Sequence, residues 1–304
     1  MRRQNAMVNY RLSIVNQQGT ALIITLLIVT LLAGLAVEFA YEVYVSTSAL
    51  SNWRNAQKAS LTAKSGLAFS SDYLKILNEF SYTSSRKFVV PAYKDLGENT
   101  ILLVTIEDEN SKFNINSIVY ENGLDNEEAL ESLKKLFEYL NINPSLALAI
   151  ADWIDPDLEP RLKNSEDKAK NQFLWSIEEL ALIEEVDRET FEAISPFLTV
   201  HGRIGEININ INTAELPVLI SLHGDMTETL AKKIIDYRES APFENIADVV
   251  RVSGMETIGI DIQKLITVKS TDFRVTARAT VNEITRFIES VIDTSMKIHY
   301  WREG

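Results

Sequence analysis

The strongest hydrophobic pattern in the chain is an uncharged apolar run near its amino end. Residues 20–37 carry no charged side chain, and Glu38 and Glu42 are the first acids in the sequence. At about 1.5 Å per residue, a helix over this run is roughly 27 Å long, close to the thickness of a bilayer's hydrocarbon core. No proline follows before Leu77, and Gly66 is the only glycine between Glu38 and Leu77. The pattern therefore predicts one long helix, half in lipid and half in a soluble head.

Strand patterns occur on both sides of a longer helical block. Residues 87–91 and 100–107 predict short strands before the block. After it, residues 272–281 alternate apolar and polar positions, which is typical of a strand with one solvated face. Asn282-Glu283 predicts a hairpin turn, followed by a further strand from Ile284 to about Ile298.

The block between these strands has helical periodicity. Its apolar residues form four stripes, within Leu130–Leu140, Leu146–Ile154, Ile177–Ile183 and Met226–Tyr237. These stripes are most simply the cores of small helical bundles, so we expect a large helical insertion in a small α+β head.

Charge and composition exclude several classes of protein. The chain has 30 Lys and Arg against 43 Asp and Glu, a formal net charge of −13. This negative charge argues against binding of nucleic acid by electrostatic attraction. It has no cysteine, so thiolate chemistry, Cys-ligated zinc, iron–sulfur clusters and disulfides are excluded. His201, His223 and His299 are far apart and form no HExxH pattern, so we expect no histidine-centred active site.

The amino end is basic, and this predicts the orientation of the apolar helix. Residues 1–19 contain three arginines and no acid. By the positive-inside rule the amino end lies in the cytoplasm and the bulk of the chain outside. Three interpretations remain open: a signal peptide with a poor cleavage site near Gly34, an uncleaved anchor, or a leader cut after Gly19. The last resembles the prepilin-type leader of type IV pilins and pseudopilins, in which a membrane peptidase cuts after the glycine and leaves the helix on the mature protein, here beginning at Thr20.

The fifth position after that cleavage point departs from the common pilin pattern. Most pilins and pseudopilins have glutamate there, and the resemblance implies that its carboxylate offsets the amino terminus of a neighbouring subunit. In this chain the position is Ile24. One pseudopilin, the K subunit of type II secretion, lacks the acid as a rule, which fits a subunit with nothing above it in the filament. The missing acid therefore indicates either a tip position or a chain that is not a pilin.

An acidic loop follows the second helical stripe. Asp155 and Asp157 flank Pro156, where a non-helical turn can point both carboxylates into one volume, and Glu166 or Asp167 can complete the set. Oxygen ligands without sulfur or imidazole favour calcium or magnesium, and calcium tolerates an irregular loop. The alternative, that these acids are helix caps and solvated loop residues, remains open.

A second passage resembles the entry to a helix-hairpin-helix unit. Residues 206–214, which look like residues 112–118, are followed by Lys232–Arg238 and Ala241–Asp248, and the hairpin position reads His223-Gly-Asp-Met226. DNA-binding hairpins use glycine-rich turns whose amides approach phosphate. One glycine beside an aspartate in an acidic chain favours a protein-contact or structural bundle instead.

Several of these passages together resemble one family throughout the length of the chain, the general secretion protein K family. They are Asp152–Asp157 before Ser165-Glu-Asp167, the Asn-Ile-Asn pairs, the interrupted strands and the closing Tyr300–Glu303. The resemblance implies a pilin-like α+β fold with an inserted helical domain of helix-hairpin-helix or SAM-like units.

The resemblance also implies a domain organisation. It comprises a leader over 1–19, a membrane segment over 20–45, a head from 46–110 and 270–304, and an insertion over 111–269 in halves of about 111–200 and 201–269.

The same resemblance implies a non-enzymatic minor pseudopilin of the bacterial inner membrane, with its bulk in the periplasm. It implies processing at Gly19 and Thr20, and calcium ligands at Asp155, Asp157, Glu166 and Asp167. The loop has fewer acids and tyrosines than the family pattern, so one metal site or none is expected. The implied partners are prepilin peptidase, the I- and J-type minor pseudopilins, the major pseudopilin filament, and the secretin or cargo, with no nucleic acid.

Three alternatives remain. A minor pilin of a type IV pilus would differ in its partners rather than in its own pattern. A membrane-anchored calcium-dependent enzyme would need a catalytic pair, which the sequence does not reveal. A helix-hairpin-helix DNA receptor would need a basic stripe, and the acidic composition argues against one.

Overall fold

The fold was analysed in a computed structural model, which describes residues 4–90, 96–163, 165–166 and 168–304, with side chains from Gly19 onwards. Arg2, Arg3, Pro91 and the predicted ligand Asp167 lie outside the described residues. The chain divides into two compact units, Met1–Lys58 and Ala59–Gly304. Each is described by itself.

The long helix predicted from the apolar run is α1, Gln4–Glu79. Its segment from Gly19 to Val37 exposes every residue, and this helix is long and apolar enough to cross a membrane. The helix ends two residues beyond the predicted end at Leu77. The described apolar side chains of residues 19–37 are therefore exposed rather than buried in a core of this unit.

The head contains one antiparallel sheet in the order β1-β2-β7-β8-β9. The strands are β1 Lys87–Val90, β2 Thr100–Asp108, β7 Asp272–Val281, β8 Ile284–Asp293 and β9 Ile298–Glu303. The first two and the last three are separated in sequence by the insertion, and β2 pairs directly with β7. The insertion therefore lies between β2 and β7 in sequence, and the pairing of these two strands joins the two parts of the head into one sheet.

The last strand prediction was too long. The chain turns between β8 and β9, because the Asp293 carboxylate accepts hydrogen bonds from Ser295 N at 2.8 Å and Lys297 N at 3.0 Å, and Met296 has a φ of +67°. The hairpin predicted at Asn282 is present, with Asn282 at a φ of +54°.

One face of α1 packs on this sheet through Ala63, Gly66, Leu67 and Leu74. The sheet supplies buried apolar residues at alternate positions of β2 and β7, which the sequence pattern predicted for β7; they are Leu102, Val104, Ile106, Phe273, Val275, Ala277 and Ala279. Residues of β1 and β8 complete this core.

The insertion has its own, larger core. Its helices are α2 Glu127–Tyr139, α3 Leu146–Ile154, α4 Arg188–Ile194, α5 Leu216–Ser221, α6 Glu228–Ser240 and α7 Ile258–Asp261. It also has two parallel strand pairs, β3 Phe113–Asn114 with β4 Leu198–Thr199, and β5 Ile209–Asn210 with β6 Ile266–Thr267. The sequence predicted only helices there, because two-residue strands are too short to show a period of two.

The two similar Asn-Ile-Asn passages make the same internal brace. The Asn116 side chain accepts a hydrogen bond from Leu174 N at 3.0 Å and donates to Leu174 O at 2.9 Å. The Asn212 side chain accepts from Phe243 N at 2.8 Å and donates to Phe243 O at 2.9 Å. Each brace therefore ties the entry of one half of the insertion to a segment far along the chain.

A short 3₁₀ helix follows each brace, at Ile177–Leu182 in the first half and Ile246–Arg251 in the second. The halves differ just before it. In the second half α6 ends at Ser240, close to the brace at Phe243, whereas in the first half α3 ends at Ile154 and the brace lies at Leu174. The extra segment in the first half is the acidic loop.

Candidate functional site

The acidic loop begins where α3 ends. Asp155 is the residue after α3, and its backbone is extended, with a φ of −69° and a ψ of 156°. Pro156 imposes this conformation, because a proline disfavours the helical region for the residue before it. Asp152 lies one turn earlier in α3, so its carboxylate and that of Asp155 are on the same side of the helix end, and both side chains are buried.

Glu166 joins these two aspartates from the far side of the loop. Carboxylate oxygens of Asp152, Asp155 and Glu166 lie within 4.8 Å of one another. We call these three residues the acidic group. Asp155 Oδ1 and both Glu166 oxygens are buried, and none of them has a hydrogen-bond partner in the part of the chain that the structure describes. Buried carboxylate oxygens are normally paired, so these three are free to bind something else.

The electrostatics of the group reflect this crowding. Burial, together with the charges of Asp155, Asp152 and Asp157, raises the pKa of Glu166 to about 7 against the opposing effect of Arg161. Burial also raises the pKa of Asp155, although hydrogen bonds and charge from Arg161 oppose that change. The group therefore carries more negative charge than its protein neighbours neutralise.

Arg161 is the cation that the loop itself supplies. Its guanidinium contacts Asp152 Oδ1 at 2.6 Å and Asp125 Oδ1 at 2.5 Å, and it also pairs with Asp155 Oδ2. Asp152 further accepts hydrogen bonds from Arg161 N at 2.9 Å and Leu162 N at 3.2 Å, as well as from the Ser165 hydroxyl. Asp152 is thus fully engaged, and the free ligand capacity lies on Asp155 and Glu166.

The structure brings together only part of the predicted ligand set. Asp155 and Glu166 are in the acidic group, whereas Asp157 is exposed and its Oδ1 accepts a hydrogen bond from Glu159 N at 2.7 Å. Asp167 lies outside the described residues. The prediction missed Asp152, although its spacing of one helical turn from Asp155 was a usable signal.

The residues present fit one hard cation in part. Calcium takes six to eight oxygen ligands, from carboxylates, amide or backbone carbonyls and water. Asp155 Oδ1 and the two Glu166 oxygens are three such donors, and the buried Oδ1 of Asn171, which borders the loop by a hydrogen bond from Asn171 N to Trp153 O at 3.0 Å, is a further unpaired oxygen among the described residues. Water or loop residues would have to supply the rest.

The hairpin predicted in the second half of the insertion lies between α5 and α6. Its carbonyl oxygens bind the ammonium group of a lysine from the first half. Lys135, in α2, donates to the carbonyl oxygens of Gly224 at 2.6 Å and Met226 at 3.2 Å, and also to that of His223. Three carbonyls that converge on one ammonium hold α2 against the hairpin. The hairpin therefore makes an internal contact between the two halves.

The predicted processing residues lie in the exposed part of α1. Gly19, Thr20 and Ile24 are all exposed, and nothing lies within 4 Å of a Cβ built at Gly19. Ile24 lies within the apolar segment, where its side chain faces outward like its neighbours.

The exposed apolar helix fits a single-pass membrane anchor, and the sheet-packed head with a two-part helical insertion between its second and third strands fits a pilin-like class of protein. Two family models match the insertion, both described as type II secretion system protein K, over residues 111–203 and 209–269. Together they take in half of the chain. The chain belongs to the type II secretion system protein K family.

Individual relatives are more distant. The type II secretion system protein K of Dickeya chrysanthemi is 26% identical over 121 residues, which cover 36% of this chain and 34% of that protein. That of Klebsiella pneumoniae is 25% identical over 167 residues, 48% of this chain and 51% of that protein. The chain thus spans between a third and half of the length of the curated relatives it matches.

A solved structure shares the fold. A chain of the GspK–GspI–GspJ complex from the type 2 secretion system of enterotoxigenic Escherichia coli superposes with a TM-score of 0.65 at 19% identity. The match covers 85% of this chain and 99% of that chain. The likeness therefore includes the sheet and the helical insertion together.

Proposed function

We propose that the chain is a minor pseudopilin of a bacterial type II secretion system, located at the tip of the pseudopilus with the I- and J-type minor pseudopilins. There it initiates or caps assembly and supports protein export across the outer membrane. The observation that carries this proposal is the combination of an exposed apolar helix with a head widened by the insertion. A filament of helical stems has room for such a head only at an end. Its role is structural rather than enzymatic.

The stem of this subunit is the apolar part of α1. Prepilin peptidase would cut between Gly19 and Thr20, leaving residues 20–45 as a single span of the inner membrane and the bulk of the chain in the periplasm. Small residues at Ala33, Gly34 and Ala36 would allow close packing against the stems of the I- and J-type partners. The major pseudopilin filament would follow below.

The insertion would form the crown of the tip. Its boundaries are proposed at 111–269, with halves that meet near residue 200 and that we interpret as helix-hairpin-helix or SAM-like units, on the head formed by 46–110 and 270–304. The parallel braces at Asn116 and Asn212 support this division. From this position the crown can meet the secretin or cargo, and the occupied hairpin at His223–Met226 supports a protein-contact role rather than nucleic-acid binding.

The acidic loop would hold one calcium ion. Asp155 and Glu166 would be its ligands, because their free oxygens are buried and adjacent. Asp167 is a candidate from the adjoining position, and Asp157 would have to release Glu159 N to take part. The ion would neutralise the loop and so hold α3 and the segment before Leu174 together; it supplies no catalytic step.

N-terminal sequencing of the protein from native membranes tests the stem. We expect the mature chain to begin at Thr20. An intact Met1, or a first residue beyond Val37, would contradict the proposal.

Co-purification from detergent-solubilised membranes tests the partners. The full-length chain, tagged at its carboxyl end, should retain the I- and J-type minor pseudopilins of the same organism. If it retains pilus components instead, the alternative of a type IV minor pilin is favoured, and if it retains neither, the tip assignment fails.

Thermal unfolding with calcium or with chelator tests the metal. An ion at about 100 times its dissociation constant adds ~2.7 kcal/mol, which for a unit of this size raises the midpoint by roughly 5–10 °C. Glu166→Gln should abolish the difference, whereas Glu185→Gln, an exposed control, should retain it. An equal midpoint in calcium and chelator for the wild-type chain would remove the calcium site.

A further inference from the structure

Arg161 occupies a place in the acidic loop that resembles a cation site. Its guanidinium draws carboxylates from separate parts of the chain, Asp125 before α2, Asp152 within α3 and Asp155 after it. The side chains of Asp152 and Asp155 are wholly buried, and the Arg161 side chain is only 20% exposed. Carboxylates from several segments around one buried positive charge are the usual arrangement of a divalent ion site.

Asp155 links this place to a second one. Its Oδ2 pairs with Arg161, whereas its Oδ1 has no partner among the described residues although the side chain is fully buried. The two free oxygens of Glu166 adjoin it, and Glu166 forms no ion pair in the described part of the chain. The loop thus offers two adjoining cation positions that share Asp155, and the guanidinium fills one.

We infer that Arg161 is a built-in cation, which takes one of these two positions permanently and limits the loop to a single divalent ion between Asp155 and Glu166. This inference rests on the proposed calcium site. The guanidinium cross-links Asp125, Asp152 and Asp155 whether or not metal is bound, so that half of the loop stays folded in chelator. A second ion is excluded because Arg161 already uses the carboxylates that would bind it.

Replacing the guanidinium tests this directly. Arg161→Met keeps an unbranched apolar side chain comparable to the aliphatic part of arginine but vacates a position lined by three carboxylates. In calcium titrations of the full-length protein in detergent, followed by calorimetry, we expect one ion for the wild type and two for Arg161→Met. The calcium-induced rise in the thermal midpoint should about double in Arg161→Met, because a second bound ion adds a comparable free energy.

Two control variants separate charge from side-chain loss. Arg161→Lys keeps a positive charge in place and should still bind one ion. Arg203→Met removes an exposed arginine, 82% accessible and paired only along its own segment with Glu206 at 3.4 Å, and should behave as the wild type.

The outcomes separate this inference from the metal proposal. One ion in both the wild type and Arg161→Met would overturn the inference and leave the calcium site standing. No ion in the wild type but one in Arg161→Met would refute the proposed site and support the role of the guanidinium. An Arg161→Met protein that binds no calcium, or that stays unfolded in saturating calcium, would also overturn the inference, since calcium should replace the lost charge.

Discussion

Asp108 is buried and His201 is half-buried near the junction between the sheet and the insertion, and burial shifts the pKa of each group in the direction that favours its neutral form. Burial, together with the charges of Arg274, His299 and Lys112, lowers the pKa of His201 to about 4 against the opposing charge of Glu109. Burial raises the pKa of Asp108 to about 6, although Thr213 Oγ1 at 2.5 Å and Asn110 N at 2.8 Å donate to its carboxylate. The neutral forms of both groups are favoured in the folded chain.

The pH dependence of stability therefore contains two opposed contributions. Between about pH 6.5 and 4 the unfolded chain protonates His201 and the folded chain does not, so this histidine lowers stability as the pH falls. Between about pH 4 and 6 the folded chain retains a proton on Asp108 that the unfolded chain has lost. Asp108 therefore lowers stability as the pH rises through that interval.

His201→Gln should make the protein less sensitive to acid. Relative to the wild type, we expect a gain of up to about 2 kcal/mol in the free energy of unfolding at pH 4.5 compared with pH 7.5, after allowing for partial exposure of the ring. Urea titrations at the two pH values measure it. His223→Gln serves as the control. An equal acid-induced loss in His201→Gln and the wild type would contradict the assignment.

The candidate site shows what sequence spacing can and cannot provide. Asp155 and Glu166 were predicted because acids that flank a proline turn converge within a short loop. Asp157 was assigned to the same volume, but Pro156 reverses the chain so that its carboxylate caps the next turn instead. Asp125 and Arg161 had no local signal, because they are 36 residues apart in sequence and only the fold brings them together.

Among the secondary-structure elements, α1 and the sheet approach each other closely at Gly66. A Cβ at this glycine would lie 2.9 Å from Leu102 Cδ1, 3.0 Å from Val104 Cγ2 and 3.2 Å from Ala277 Cβ. The absence of a side chain lets the helix backbone lie on β2 and β7. The glycine in an otherwise unbroken helical pattern is thus explained by packing.

Gly66→Ala should destabilise the head even though alanine favours helix. The added methyl group overpacks the contact with the sheet, at a cost of about 1–3 kcal/mol, which exceeds the ~1 kcal/mol gained in helix propensity. Ser65→Ala, at the neighbouring exposed position, is the matched control. Unfolding in urea, followed by circular dichroism, measures both. A Gly66→Ala head as stable as the wild type would mean that the helix can shift away from the sheet freely.

The contact between α2 and the α5–α6 hairpin depends on one ammonium. Lys135→Met should cost about 1–3 kcal/mol, because it leaves three hairpin carbonyls without their shared donor. Lys134→Met removes a lysine whose ion-pair partner among the described residues is the exposed Glu131, at 2.6 Å, and the change should cost less than about 0.5 kcal/mol, as is usual for such surface pairs. Chemical denaturation compares them, and equal losses would show that the hairpin does not need the cation.

Elements with long periodic patterns were predictable, and short ones were not. The helix α1 and strands β2 and β7 follow from runs of many residues, so their patterns are distinct. The strand pairs β3–β4 and β5–β6 have two residues in each strand, and the asparagine braces at Asn116 and Asn212 lie just after β3 and β5 along the chain. Their partners lie far away in sequence, so only the similarity of the two Asn-Ile-Asn passages indicated a repeated unit.

For the molecule as a whole, the proposed tip position explains both the wide head and the absence of an acid at the fifth position of the stem, Ile24. A subunit inside a filament has a neighbour above it whose amino terminus can pair with an acid near the amino end of the stem. A subunit at the tip has no such neighbour, and a carboxylate there would lie unpaired in lipid at a cost of several kcal/mol. Ile24, exposed in the apolar segment, is consistent with this arrangement.

Ile24→Glu tests the arrangement in the assembled system. The new carboxylate can attract the amino terminus of another pseudopilin, so we expect secretion to fall weakly, by roughly twofold, or the ratio of this subunit to its I- and J-type partners to change. Ile23→Glu is the matched control, because it carries the same cost in lipid at the adjacent position on a different side of the helix. Quantitative immunoblots of membrane complexes and a secretion assay measure both effects. Equal impairment by the two variants would indicate only the cost of a charge in lipid, and complete indifference to Ile24→Glu would contradict the capping explanation, because a subunit that tolerates the acid gains nothing from its absence.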